Sequence, residues 1–164
     1  MAATDDEVAV VATRLASQML AGPPARSAEA VVDRVLAVQA QDPRGLRLSV
    51  RSRSAGLLAS DVDSALSTER SLMVTWLNRD TLHLVAAEDY WWLHPLTTPQ
   101  LATGNQRRLR EEGVSVAQTE RGVALLAEVV TSEGPQTRPQ LRHRLDAAGI
   151  PTAGQALVHL LRAR

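Results

Sequence analysis

SLMVTWLNRDTLHLVA, residues 71–86, sets two runs rich in β-branched and aliphatic residues around a polar turn at Arg79-Asp80. That pattern is a β-hairpin, with strands expected near 72–77 and 81–85. Asp80 falls where a left-handed backbone would favour glycine. Upstream, Thr4-Asp5-Asp6-Glu7 is a capping box. It opens a helix with Val8, Val11, Ala12, Leu15, Met19 and Leu20 on one face, ended by Gly22-Pro23-Pro24. A second helix is expected from about Ser27 to Val38. Asp42-Pro43 should end it, because the residue before proline is pushed out of the α region. Leu46, Leu48 and Val50 then alternate with Arg47, Ser49 and Arg51, the period of a half-buried strand; over 45–53 a helix is the alternative. Ser60-Asp61-Val62-Asp63 starts a short helix through Leu66. Helix, helix, connection, short helix, hairpin is the order of a winged helix, with an unusually long connection.

Downstream of the hairpin, Glu88-Asp89 opens a helix through YWWLHPL, and a polar helix runs from Thr98 to about Glu112, where Gly113 ends it. A helix from about Val116 to Thr131 stops at Glu133-Gly134-Pro135. Capping boxes at Thr137 to Gln140 and Thr152 to Gln155 start two more, joined by AGIP, the short glycine-containing turn of a helix-turn-helix. The chain ends at LLRAR, inside the helix that should enter DNA, with no wing after it. The expected fold class is mainly α with a β-hairpin wing (α+β), built as tandem winged-helix or helix-turn-helix units. Residues 1–96 form the first, 97–115 a connecting helix, and 116–164 a second, truncated unit of a longer protein.

At 164 residues and 45% hydrophobic, the chain can bury a core and is not a disordered segment. With no Phe, one Tyr and three Trp, that core must be aliphatic. All 18 basic residues are arginine, which suits bidentate contacts to phosphate or carboxylate and is equally what a GC-rich genome produces. Zero net charge excludes a generic polyanion binder of pI above about 9. The charge is uneven, however: Arg44, Arg47, Arg51 and Arg53 fall in an acid-free stretch, and Arg138, Arg142 and Arg144 cluster near the C-terminus. There is no cysteine for a disulfide or a thiolate metal site. No signal peptide or membrane-length apolar run is present, so a soluble cytoplasmic protein is expected. His83, His94, His143 and His159 lack metal-ligand spacing and no phosphate loop occurs, so neither metal nor cofactor is expected.

LAVQAQDPRG, residues 36–45, places two amides, Gln39 and Gln41, at a break in the apolar pattern. Taken alone it reads as a polar helix end. Together with VTWLNRDTLHLVAAEDYWWL (74–93) and LTTP (96–99), it resembles the bacterial winged-helix DNA-binding family that includes the AlkZ-type DNA glycosylases. QAQD followed at a distance by TLHLV carries the likeness, which spans residues 7–164 and the first half of a typical member. The resemblance implies hydrolysis of the N-glycosidic bond of alkylated or crosslinked purines in double-stranded DNA, with Gln39 and Gln41 as the catalytic pair.

The chemistry is consistent with that. An amide does not ionise near neutral pH and cannot be a general base, but it can orient water. Orientation suffices where the leaving purine is already cationic. Two residues apart, both side chains share one side of an extended segment, whereas a helix would separate them by about 200°. Asp42 and His83 are auxiliary candidates; their alternatives are an Asp-Pro turn and a hydrogen-bonded structural histidine. Trp91 and Trp92 either stack on a base or pack in the core. Arg44, Arg47, Arg51, Arg53, Arg79, Arg138 and Arg142 are the candidate phosphate contacts. Two other classes stay open: a non-catalytic winged-helix regulator and a protein-interaction module.

Overall fold

Residues 71–86 fold as their alternation demands. In the computed structural model, which describes residues 4–99 and 101–163 (side chains of 101–103 excepted), β2 (Leu72–Leu77) pairs antiparallel with β3 (Thr81–Ala86). The register runs from Leu72 opposite Ala86 to Leu77 opposite Thr81. Asn78 and Asp80 take positive φ, +42° and +65°, to close the turn. A short β1 (Val38–Gln39) joins the other edge of β3, giving an antiparallel sheet ordered β1-β3-β2. The chain is α+β.

Both faces of this sheet are defined by alternation. Val38, Ala40, Leu72, Leu84 and Ala86 belong to the main core, with Val31 and Val32 of α2 (Ala28–Val35), Leu46 and Val50 of α3 (Pro43–Arg51), and Val62 and Ala65 of α4 (Ala59–Ser67). Residues of the other parity, Leu77 and Val85, pack with Leu93 of α5 (Tyr90–Thr97) in a smaller cluster flanked by Ala37 and Met73. The sheet is thus a wall with helices α2, α3 and α4 on one side and α5 on part of the other.

Three expectations for this region are corrected. The second helix ends at Val35, not Val38, because Leu36 turns to φ +67°, which no helix continues through. Asp42-Pro43 therefore does not end a helix; it begins α3. Asp42 Oδ1 accepts from the Arg44 amide (3.1 Å) and Oδ2 from the Gly45 amide (2.9 Å), and Pro43 sits in the first turn, where its missing N–H is harmless. Residues 43–51 are consequently helix, not strand: Leu46 and Val50, four apart, are buried, while Leu48 is 62% exposed. The helix α1 (Asp5–Ser17) forms with its capping box, Thr4 N donating to Glu7 Oε2 (2.8 Å), but none of its residues is buried. Its apolar face, with Val8, Val11 and Leu15, lies open rather than packed.

The chain divides into two compact units, Met1–Thr97 and Thr98–Arg164. The second is helical: α6 (Leu101–Glu111), α7 (Val116–Glu133), α8 (Arg138–Ala147) and α9 (Ala156–Arg162). The expected start of α6 at Thr98 shifts to Leu101. Leu109, Leu126, Leu141, Leu145, Ile150, Leu157 and Leu160 form the core. A Cβ at Gly122 would meet Leu160, Ile150 and Leu145 side chains at 3.2–3.5 Å, so its absence lets α7 lie close. A buried amide–imidazole pair ties α6 to α9: Asn105 Nδ2 donates to His159 O (2.7 Å), and Asn105 Oδ1 lies 2.8 Å from His159 Nδ1. The Thr137 box forms, with Thr137 N donating to Gln140 Oε1 (2.8 Å). The Thr152 box does not. Thr152 Oγ1 donates instead to Asp146 Oδ1 (2.5 Å), the N-cap of α9 moves to Gln155, and residues 148–155, not AGIP alone, make the connection. Among the described residues no helix is long and apolar enough to cross a membrane.

Candidate functional site

Gln39 and Gln41 are presented by the strand that follows the Leu36 turn. Val38 lies opposite Leu84 and Gln39 opposite His83, and the Ala40 amide extends the ladder to Leu82 O (2.8 Å). Val38 and Ala40 are buried while Gln39 and Gln41 are exposed, the two-residue period of an extended strand. Both amides therefore leave the same sheet face. They differ in freedom. Gln41 Oε1 accepts from the Leu82 amide (3.3 Å), which leaves its NH₂ as the outward-facing donor. The Gln39 amide carries no intramolecular bond among the described residues, so donor and acceptor are both available.

Directly opposite residues in an antiparallel pair have Cβ atoms about 4.5–5.5 Å apart. His83 is opposite Gln39 on one side and Thr75 on the other, so Gln39, His83 and Thr75 form one row across the three strands. The exposure falls along that row, from exposed Gln39 through half-buried His83 to buried Thr75. Its next neighbours on the same face are Leu77 and Val85, under Leu93 of α5. The row is an open polar shelf with an apolar back. His83 Nδ1 sits 3.0 Å from Thr81 O.

The auxiliary carboxylate has a different occupation. Both Asp42 oxygens cap α3, and the amides of Gly45 and then Arg44, with a further contribution from the Arg44 charge, hold its carboxyl below the usual carboxylate range. A carboxylate so stabilised is a weaker base.

The candidate arginines separate into two kinds. Arg47 is held by Asp63, with Nε donating to Oδ1 at 2.9 Å, and by Pro43 O at 2.6 Å. Arg53 donates to Gln18 O (2.9 Å) and Ser49 O (2.8 Å). These two stitch the fold. Arg44 and Arg51 share the exposed face of α3 with Leu48, and Arg79 is exposed at the hairpin turn. Arg138 and Arg142 lie in the second unit, exposed on α8, where with Pro139, His143 and Asp146 they line a shallow depression.

Trp91 and Trp92 are 76% and 47% exposed, so of their two readings core packing fails for both. Trp92 Nε1 donates to Asp89 Oδ1 (2.8 Å), and Trp91 meets the Tyr90 ring edge-on at 5.3 Å. Sequence reasoning did not find the cross-strand pairing of Gln39 with His83. The signal was present: an extended Val38-Gln39-Ala40-Gln41 needs a partner edge, and the hairpin offers one.

No curated protein matches the chain. Among solved structures, Streptomyces sahachiroi DNA glycosylase AlkZ is similar at 29% identity and a TM-score of 0.64. The match covers 84% of this chain and 37% of that one, so this chain spans little more than a third of that protein's length. The model of the family described as DNA glycosylase AlkZ-like matches residues 32–164, which include the glutamine strand, the hairpin and all of the second unit. The chain belongs to the AlkZ-like DNA glycosylase family.

Proposed function

We propose that this chain hydrolyses the N-glycosidic bond of alkylated or crosslinked purines in duplex DNA, with Gln39 and Gln41 placing the attacking water. The observation that carries this is the pair of amides leaving one open sheet face, one of them locked as a donor, immediately before the arginine-bearing helix α3. Two convergent hydrogen-bonding groups are what orientation of a water requires. An N7-alkylpurine is cationic, so its departure needs little acid catalysis, and weak catalytic groups match that substrate. Arg44, Arg51 and Arg79 in the first unit, and Arg138 and Arg142 in the second, hold phosphates. Arg47 and Arg53 position α3.

The order α2-β1-α3-α4-β2-β3, with β1 on the open edge of β3, supports reading residues 1–96 as a winged helix. We read 97–115 as a connecting helix and 116–164 as a second helix-turn-helix unit. In a winged helix the α4 position would enter the groove. Here α4 carries Asp61 and Asp63 and no basic residue, so it offers no cation to the phosphate backbone. That favours catalysis from the β1–α3 face over a sequence-reading regulator.

The test is single-turnover excision of 7-methylguanine from duplex DNA by the full chain. Gln39→Ala and Gln41→Ala should each slow it on the order of a hundredfold, the scale of one lost transition-state hydrogen bond, while leaving DNA affinity nearly unchanged. If both variants excise at the wild-type rate, the proposal falls.

A further inference from the structure

We infer that His83 is the base of this site: its Nε2 takes the proton of the water that Gln39 and Gln41 orient. The inference rests on the proposed role of the two glutamines and adds what they lack. Neither amide can accept a proton, and Asp42, with both oxygens engaged by backbone amides, is weakened for the task. His83 is the group on the glutamine row that can do so.

The tautomer follows from its hydrogen bond. His83 Nδ1 lies 3.0 Å from the carbonyl oxygen of Thr81, and a carbonyl only accepts, so Nδ1 carries the hydrogen. In the neutral ring Nε2 is then the lone-pair nitrogen. The Thr81 bond fixes the ring on a rigid strand, directly across from Gln39. The residue is half-buried, beside exposed Gln39.

The step balances without a further reactant. Water oxygen bonds to C1′ as the C1′–N9 bond breaks, and that electron pair neutralises the cationic purine, which leaves as the free base. The water proton moves to His83 Nε2. The imidazolium so formed keeps its Nδ1–H on Thr81 O and later releases the proton to solvent.

The ionisable groups of the adjoining elements are Asp42 and Arg44 after β1, Arg79 and Asp80 at the hairpin turn, Glu88, Asp89, Tyr90 and His94 at and on α5, and, on α2 against the other sheet face, Glu29, Asp33 and Arg34. A base must be neutral to act, so excision should gain rate as pH rises.

The decisive variant is His83→Asn, whose amide NH₂ can replace Nδ1–H on Thr81 O but offers nothing at the Nε2 position. The measurement is the pH profile of single-turnover 7-methylguanine excision by the full chain, wild type against His83→Asn and a His94→Gln control. Titration of the substrate is common to all three and cancels in the ratio. His83→Asn should lose about a hundredfold, within the usual range for a general base, and lose the acid limb, while His94→Gln keeps it. A slowed His83→Asn enzyme with an unchanged acid limb would make His83 merely structural and overturn the inference. So would a variant at the wild-type rate. Imidazole ¹⁵N spectra of the unliganded chain give a readout independent of turnover: a hydrogen on Nε2 instead of Nδ1 also overturns it. If the glutamine variants slow excision and His83→Asn does not, only this inference falls. If the glutamine variants are silent, or the chain excises nothing, the underlying function falls with it.

Discussion

Val38-Gln39-Ala40-Gln41 and Leu46-Arg47-Leu48-Ser49-Val50 alternate apolar and polar residues in the same way, yet the first is an extended strand and the second a helix. Five residues of alternation do not distinguish the two, because a helix can bury positions 46 and 50 and expose 48 with the same letters. What separates them lies at their borders. The first follows Leu36, whose φ of +67° stops α2, and faces the free edge of β3. The second follows Asp42-Pro43, an N-cap with proline in the first turn. One dipeptide thus follows the two glutamines directly and starts the arginine-bearing helix.

The largest test of this comparison is core truncation in the second stretch. In a strand Leu46, Leu48 and Val50 would share one face and respond alike. In the helix they cannot. Leu46, 3% exposed, should lose about 2–5 kcal/mol on Leu46→Ala. Leu48→Ala, at 62% exposure, should stay within about 0.5 kcal/mol. Urea unfolding of the two variants decides it; equal losses would restore the strand.

A second, smaller effect separates arginines that the alternation makes look equivalent. Arg51 is exposed on α3 and Arg47 is tied to Asp63 and Pro43 O. Affinity for duplex DNA should fall with salt, and Arg51→Ala or Arg44→Ala should lower the log–log slope by about one. Arg47→Ala should leave the slope intact and reduce the melting temperature. A slope that falls equally for Arg47→Ala and Arg51→Ala would mean Asp63 releases Arg47 to the phosphate.

The parts of this molecule that were legible in its sequence are those fixed by local chemistry. The hairpin strands come out within one residue of their expected limits because β-branched runs and a polar turn are local signals. The two glutamines share a face as their spacing requires, although the break that extends them is at Leu36 and not at Asp42-Pro43. A positive φ at leucine leaves no compositional trace, so that turn was invisible. Thr152 shows a different failure: the box letters are present, but the Asp146 carboxylate competes for the hydroxyl, and that partner is known only once α8 is folded. The exposure of Trp91 and Trp92 was missed because aromatic content argues for burial in general and says nothing of which helix face meets the sheet. The pairing of Gln39 with His83 depends on β1 joining the hairpin, a long-range event outside any window of the sequence.

The smallest predicted effect isolates the dipeptide itself. Asp42 is bonded to two amides in the folded chain, and its folded pKa is depressed relative to the unfolded chain. A depressed carboxylate binds its proton less tightly when folded, so its stabilising contribution is present above the unfolded pKa and is lost as pH falls through the folded value. At neutral pH Asp42→Asn should change the melting temperature little, because asparagine is an equally good N-cap. Below the ordinary aspartate range the wild type should lose stability that the Asn variant does not, so the melting temperatures of the two should separate as pH falls. Asp42→Ala should melt lower than both at neutral pH, since it leaves the Arg44 and Gly45 amides without their carboxylate. If Asp42→Asn and Asp42→Ala are equally destabilised at neutral pH, the charge and not the cap starts α3. In that case the strand and the helix are separated by electrostatics at the helix N-terminus, not by hydrogen-bond satisfaction.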